Sequence, residues 1–177
     1  FKKYNSKLIL ICCKKILFYQ MKKNKFKKKV NILERDKLKE FILDNKNINL
    51  IDIECQKLNK KFNVNLTNKY LSSSFNLALK LIKNKFSNKL INGPINKKSF
   101  LNKKFLGVTE YISAKCNVKK TGMLIYNKSL SVCPLTTHLP IKLVAKNITK
   151  KVIEENIYLI NEFFKKNLRF SPRIAVV

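Results

Sequence analysis

Leu130-Ser131-Val132-Cys133-Pro134-Leu135-Thr136-Thr137-His138-Leu139-Pro140 is the stretch on which the fold turns. An apolar run gives way to two hydroxyl residues, an imidazole and a proline. A short apolar run closed by a breaker reads as a buried strand. In open α/β sheets, ligands gather beyond the carboxyl ends of strands. His138 is the one histidine of the chain. An imidazole set just past a strand is suited to binding a metal or moving a proton. A lone histidine is more often structural, so its reading depends on its surroundings.

Working outward, short apolar runs alternate with helical periodicity. Residues 123–126 and 130–135 read as adjacent strands joined by a turn at Asn127-Lys128. Thr149 is placed to cap a helix running to about 167, with Val152, Ile153, Ile157, Ile160, Phe163 and Phe164 as its apolar stripe. Arg173 leads into a last strand. Upstream, 67–86 is the clearest helix. Tyr70, Leu71, Phe75, Leu77, Ala78, Leu81 and Ile82 recur at three- and four-residue steps, and lysines cover the other face. Residues 89–92 read as a strand ended by Gly93-Pro94, 95–103 as a short helix or loop, and 109–116 as a helix after Gly107. Strands are expected at 8–13, 30–33 and 48–53, with a mixed segment up to Lys29. A helix capped by Asp36 is expected over 36–44. The alternation predicts an α/β fold with a mostly parallel sheet.

Composition narrows the function classes. A chain of 177 residues with 45% hydrophobic content has the means to bury a core and fold as a single domain. The formal charge of +29 raises nucleic acid or an anionic membrane as partners. Arginine, the preferred phosphate fork, occurs only at Arg35, Arg169 and Arg173. The lysines are spread among asparagines, a compositional dialect such as an AT-rich genome produces. The densest stretch, 22–29, reads as a solvated turn. Neither nucleic acid nor membrane is therefore expected as a partner. No apolar run approaches the roughly 20 residues of a spanning helix, and no signal-peptide cleavage pattern is present. Cys12, Cys13, Cys55, Cys116 and Cys133 are odd in number, lack C-x-x-C spacing and sit among apolar neighbours. They read as buried, reduced thiols of a cytoplasmic protein. Three glycines in all exclude a glycine-rich dinucleotide loop within this stretch. The chain opens on Phe1 and closes on Ile174-Ala175-Val176-Val177, so it is expected to be part of a longer protein.

Three blocks occupy the strand-to-helix junctions: Asn92-Gly93-Pro94-Ile95-Asn96-Lys97, Gly107-Val108-Thr109-Glu110-Tyr111 and Thr136-Thr137-His138-Leu139-Pro140. Each alone is weak, since Gly-Pro also makes ordinary turns and Thr-Glu ordinary helix starts. Their order and spacing, followed by Pro172-Arg173-Ile174-Ala175-Val176 and with Met123-Leu124 between, is specific. This run resembles the 4-hydroxythreonine-4-phosphate dehydrogenase family of vitamin B6 (pyridoxal phosphate) biosynthesis, whose blocks are G-P-x-x-K, G-H-T-E-[FY], T-T-H-[IL]-P-[LI] and P-R-I-x-V. The resemblance covers 90–177. Residues 1–89 match only in their alternation of elements, and the whole reads as a partial dehydrogenase domain lacking an N-terminal strand and the C-terminal half.

The resemblance implies a three-layer α/β/α fold like that of isocitrate and isopropylmalate dehydrogenases, here incomplete. It implies an NAD-dependent (or NADP-dependent) oxidoreductase that oxidises and decarboxylates 4-phosphohydroxy-L-threonine to 3-amino-2-oxopropyl phosphate. It also implies a divalent metal (Zn, Mg or Co), a phosphorylated amino acid as substrate, and a homodimer at full length. His138 matches a metal ligand of the family and Thr109 a substrate contact. Lys97 lies in a family block without an assigned role. Val108 stands where the family carries a substrate-binding histidine. That departure admits a related substrate such as 4-phospho-threonate. The family's other metal ligands and its cofactor site lie outside this sequence, so the fragment itself is expected to be inactive. The competing classes are a basic nucleic-acid-binding domain, which requires lysines gathered on one face, and a non-catalytic relative.

Overall fold

The structure is a computed structural model that describes residues 7–55, 64–101 and 104–177. It groups into two compact units, 1–100 and 101–177.

The first unit is built on three parallel strands: β1 (Ile9–Cys12), β2 (Val30–Ile32) and β3 (Ile48–Asp52), in the order β1-β3-β2. Ile9 pairs with Asn49 and Val30 with Ile48. β3 is central, and Asn49, Leu50 and Ile51 are its fully buried residues. A parallel strand buried on both faces reads as a near-continuous apolar run, and this one is interrupted only by Asn49. That amide is anchored: its Nδ2 donates to Leu8 O at 3.0 Å and to Asp44 O at 2.8 Å. Leu33, Leu38 and Ile51 form the core, with Leu77 and Leu81 of α2 (Val64–Lys83) packed on it. Phe75, also on α2, is buried and stacks on Phe100 of α3 (Lys97–Phe100) at 5.6 Å.

Three features of this unit depart from expectation. The mixed segment after β1 holds a helix, α1 (Lys14–Lys23). Its N-terminal N–H, on Lys14, donates to Asp52 Oδ1 at 2.7 Å. The cap is thus a carboxylate 38 residues away, where it also favours the helix dipole. The expected helix over 36–44 is instead a single 3-10 turn, Arg35–Lys37, starting after Glu34 rather than Asp36. Asp44 turns the chain locally by accepting from Asn47 N–H at 2.6 Å and from Asn47 Nδ2 at 2.9 Å. Side-chain bonds of this kind compete with helical ones. Residues 89–92 form no strand: Ile91 is exposed and no neighbouring strand pairs with it among the described residues. The end of the 95–103 segment, at 102–103, lies outside the described residues.

The second unit carries α4 (Val108–Lys115), α5 (Ile141–Asn147) and α6 (Lys150–Phe163), the last continued by a π-helical turn, Phe164–Leu168. Thr149 caps α6, its side chain accepting from Val152 N–H at 3.3 Å. Phe164 is buried among Tyr126, Phe163 and Phe170, all edge-on to it. The two expected strands around 123–135 reduce to one antiparallel bridge, Ile125 with Val132, whose N–H groups bond reciprocally at 2.8 and 3.0 Å. The next rung is taken by a side chain: Ser131 Oγ accepts from Asn127 N–H and donates to Asn127 O. No strand forms over 173–177. α5 had no counterpart in the sequence reading.

Helix ends carry the compositional dialect. Lys25, Lys85, Asn117 and Arg169 hold left-handed conformations where glycine is usual. Phe86 N–H reaches back to Leu81 O at 2.9 Å and Val118 N–H to Ser113 O at 3.0 Å, the bonds that close such ends. Among the cysteines, Cys13 is buried as expected, whereas Cys116 is exposed; all five are free thiols.

Candidate functional site

α4 opens at Gly107, whose backbone is extended, with φ −154° and ψ −179°. Val108, Thr109 and Glu110 make the first helical turn and are half-buried. Tyr111 anchors that turn: it is buried, meets Phe105 edge-on at 5.5 Å and lies under the Lys115 ammonium. The hydroxyl of Thr109 therefore sits on a rigid start of a helix rather than on a loose loop.

His138 lies on the loop between the Ile125–Val132 bridge and α5, where Pro140 is the N-cap residue. Its φ of 58° is left-handed. A non-glycine residue there costs on the order of 1–2 kcal/mol, which the surrounding loop must offset. His138 is exposed.

These two blocks, far apart in sequence, meet. A Cβ built on Gly107 would lie 2.7 Å from Glu110 Oε2 and 3.7 Å from His138 Nε2. A methyl group at 107 would therefore displace the end of the flexible Glu110 side chain, while the backbone dihedrals there suit any residue. The position of that methyl group is flanked by a carboxylate oxygen and an imidazole nitrogen. Glu110 Oε2 is buried and accepts no hydrogen bond. Buried acceptors without partners are rare and costly. A carboxylate and an imidazole are both side-chain types that ligate metals, and here they lie in one neighbourhood. Among the described residues no three His, Cys, Asp or Glu side chains cluster, so the chain offers a pair of donors rather than a full set. Glu110 is the residue that sequence reasoning passed over. Its place inside the G-x-T-E block was a signal, but a helix start explains a glutamate there equally well.

Val108 is half-buried at the first helical position and offers neither proton nor hydrogen bond. The Gly93–Lys97 block belongs to the first unit. Lys97 is exposed at the start of α3, and a Cβ on Gly93 would meet nothing within 4 Å.

A family model described as pyridoxal phosphate biosynthetic protein PdxA matches residues 5–177. A 4-hydroxythreonine-4-phosphate dehydrogenase of Sulfurihydrogenibium sp. is 35% identical over 103 residues, 56% of this chain and 32% of that protein. One of Bacteroides thetaiotaomicron is 33% identical over 92 residues, 50% of this chain and 25% of that protein. The crystal structure of the enzyme of that name from Klebsiella pneumoniae superposes with a TM-score of 0.75 at 18% identity, covering 89% of this chain and 49% of that one. The structural likeness bears out the α/β fold. The chain spans a quarter to a third of those two relatives in alignment, and about half of the solved chain.

Proposed function

Since the chain belongs to the pyridoxal phosphate biosynthetic protein PdxA family, we propose that it forms part of a 4-hydroxythreonine-4-phosphate dehydrogenase. The observation that carries this reading is the meeting of Gly107, Glu110 and His138 around one point, with Thr109 on the same helical turn. The substrate is 4-phosphohydroxy-L-threonine. Its secondary alcohol gives a hydride to NAD (or NADP), and the β-keto acid then loses carbon dioxide to leave 3-amino-2-oxopropyl phosphate. His138 would contribute to holding a divalent cation (Zn, Mg or Co), which when bound would polarise the alcohol oxygen and stabilise the negative charge left by decarboxylation.

The chain's own residues set the geometry. His138 offers a nitrogen lone pair as metal ligand, on a backbone held in one strained conformation. The Thr109 hydroxyl donates to and accepts from the substrate's polar groups. Val108 provides an apolar wall and no proton. Residues 1–177 are read as one partial dehydrogenase domain, with the recognised motif blocks in 90–177. The resemblance further supports a homodimer and, with free thiols throughout, a cytoplasmic setting. No helix among the described residues is long and apolar enough to cross a membrane.

Val108 favours one second reading, a dehydrogenase for 4-phospho-threonate, because a site without the histidine loses one donor to the substrate. Turnover tests both. The protein containing this chain is given nicotinamide cofactor, divalent metal and each phosphorylated acid, and cofactor reduction is followed. Reduction with 4-phosphohydroxy-L-threonine, abolished by His138→Ala, is the expected result. Reduction with 4-phospho-threonate alone selects the second reading, and reduction with neither rejects both.

A further inference from the structure

We infer that Asn92-Gly93 is a site of spontaneous self-modification, at which the Asn92 carboxamide is lost through a cyclic imide and residue 92 becomes aspartyl or isoaspartyl. The inference does not depend on the dehydrogenase reading.

The reaction is intramolecular. The Gly93 backbone nitrogen, having given its proton to solvent base, attacks Asn92 Cγ. A nitrogen–carbon bond forms and closes the ring, the Cγ–Nδ2 bond breaks, and Nδ2 leaves as ammonia. Water then opens the imide at either carbonyl. Cleavage on the Cγ side gives aspartate, and cleavage on the main-chain side gives isoaspartate. Water is the one co-reactant.

Four observations converge on this pair. First, Asn92 is the one asparagine of the chain that is followed by glycine. Glycine has no Cβ to crowd its attacking nitrogen. Secondly, the backbone there is open. Asn92 and Gly93 are exposed and lie outside any helix or strand, and Ile91 beside them is 84% exposed. Among the described residues the Gly93 N–H donates no hydrogen bond. Segments so lightly held deform at little cost. Thirdly, Asn92 Nδ2 donates to Gly93 O at 3.2 Å, so the carboxamide rests against the residue that attacks it. Fourthly, the attacking nitrogen is an anion, which a chain of net charge +29 favours.

A hairpin turn that requires glycine would also account for an Asn-Gly pair. The structure removes that explanation. No glycine holds a positive φ, and a Cβ on Gly93 would meet nothing within 4 Å. Pro94 biases residue 93 toward extended backbone, which alanine adopts as readily. Asn96 is built in the opposite way: its Oδ1 accepts from Ser99 N–H at 3.2 Å, and Lys97 follows it. Conversion at Asn92 places a carboxylate directly ahead of the Gly93–Lys97 block, and the isoaspartyl form also adds a methylene to the main chain.

The test keeps the full-length protein containing this chain folded at mildly alkaline pH for several days. Samples are then cleaved with trypsin and read by mass spectrometry with fragmentation. Cleavage after Lys89 and Lys97 yields 90–97, which carries Asn92 and Asn96 together. The expected result is aspartyl and isoaspartyl products at 92, faster at higher pH, with Asn96 intact. Gly93→Ala should slow the conversion by about tenfold or more, an added barrier of at least about 1.4 kcal/mol. Asn92 left intact in the folded protein overturns the inference, and conversion of a free 90–97 peptide would then assign the protection to the fold. Aspartate without isoaspartate, or an unchanged rate in Gly93→Ala, overturns the imide route.

Discussion

At the scale of single residues, burial decides which groups are available for chemistry. Cys12, at the end of β1, shows this outside the candidate site. Burial chiefly, then Cys13 and Asp52 nearby, pushes its thiol from 9.0 up to about 11. A thiolate is the reactive form, so Cys12 is inert at neutral pH. The folded chain holds this proton more tightly than the unfolded one. The associated stability is fully present below pH 9.0 and is lost as pH rises through about 11. Denaturant melts across that window should show stability falling with pH, and Cys12→Ala should flatten the slope. An identical slope in the variant would assign the effect to other groups. Glu110 follows the opposite logic, being a charged type buried without a partner. No local pattern in the sequence separates it from a capping glutamate.

At the scale of elements, amphipathic periodicity was a reliable guide and distant partners were not. α2 and α6 lie where their apolar stripes placed them, within a few residues. α1 was missed because its cap comes from Asp52, beyond any local window. The strands expected at 89–92 and 173–177 have suitable composition but no paired backbone among the described residues. A strand is defined by its neighbour, so composition alone overcalls it. The helix ends give a direct test. Lys85 closes α2 with φ 58° where a glycine pays no Cβ penalty. Lys85→Gly should stabilise the chain by up to about 1 kcal/mol in urea unfolding. A loss of stability would mean that the lysine stem contributes packing greater than its backbone strain.

At the scale of the whole molecule, charge and apolar exposure dominate. A net charge of +29, with few ion pairs among the described residues, makes the folded chain self-repelling. Raising ionic strength from about 0.01 to 0.15 M shortens the screening length from roughly 30 to 8 Å. The melting temperature should rise over that range; a flat response would show that lysine flexibility already disperses the repulsion.

The sequence by itself determined the α/β class, the two long helices, the central parallel strands and the ordered motif blocks that mark the family. These depend on local periodicity and on residue identity at fixed spacing, both written in the chain. Tertiary structure alone decided that Gly107, Glu110 and His138 share one place, that Asp52 caps α1, and that Ser131 ends the 125–132 pairing after a single rung. Each is a contact whose energy depends on distance in space, burial and missing solvent. None of those quantities exists until the chain has folded.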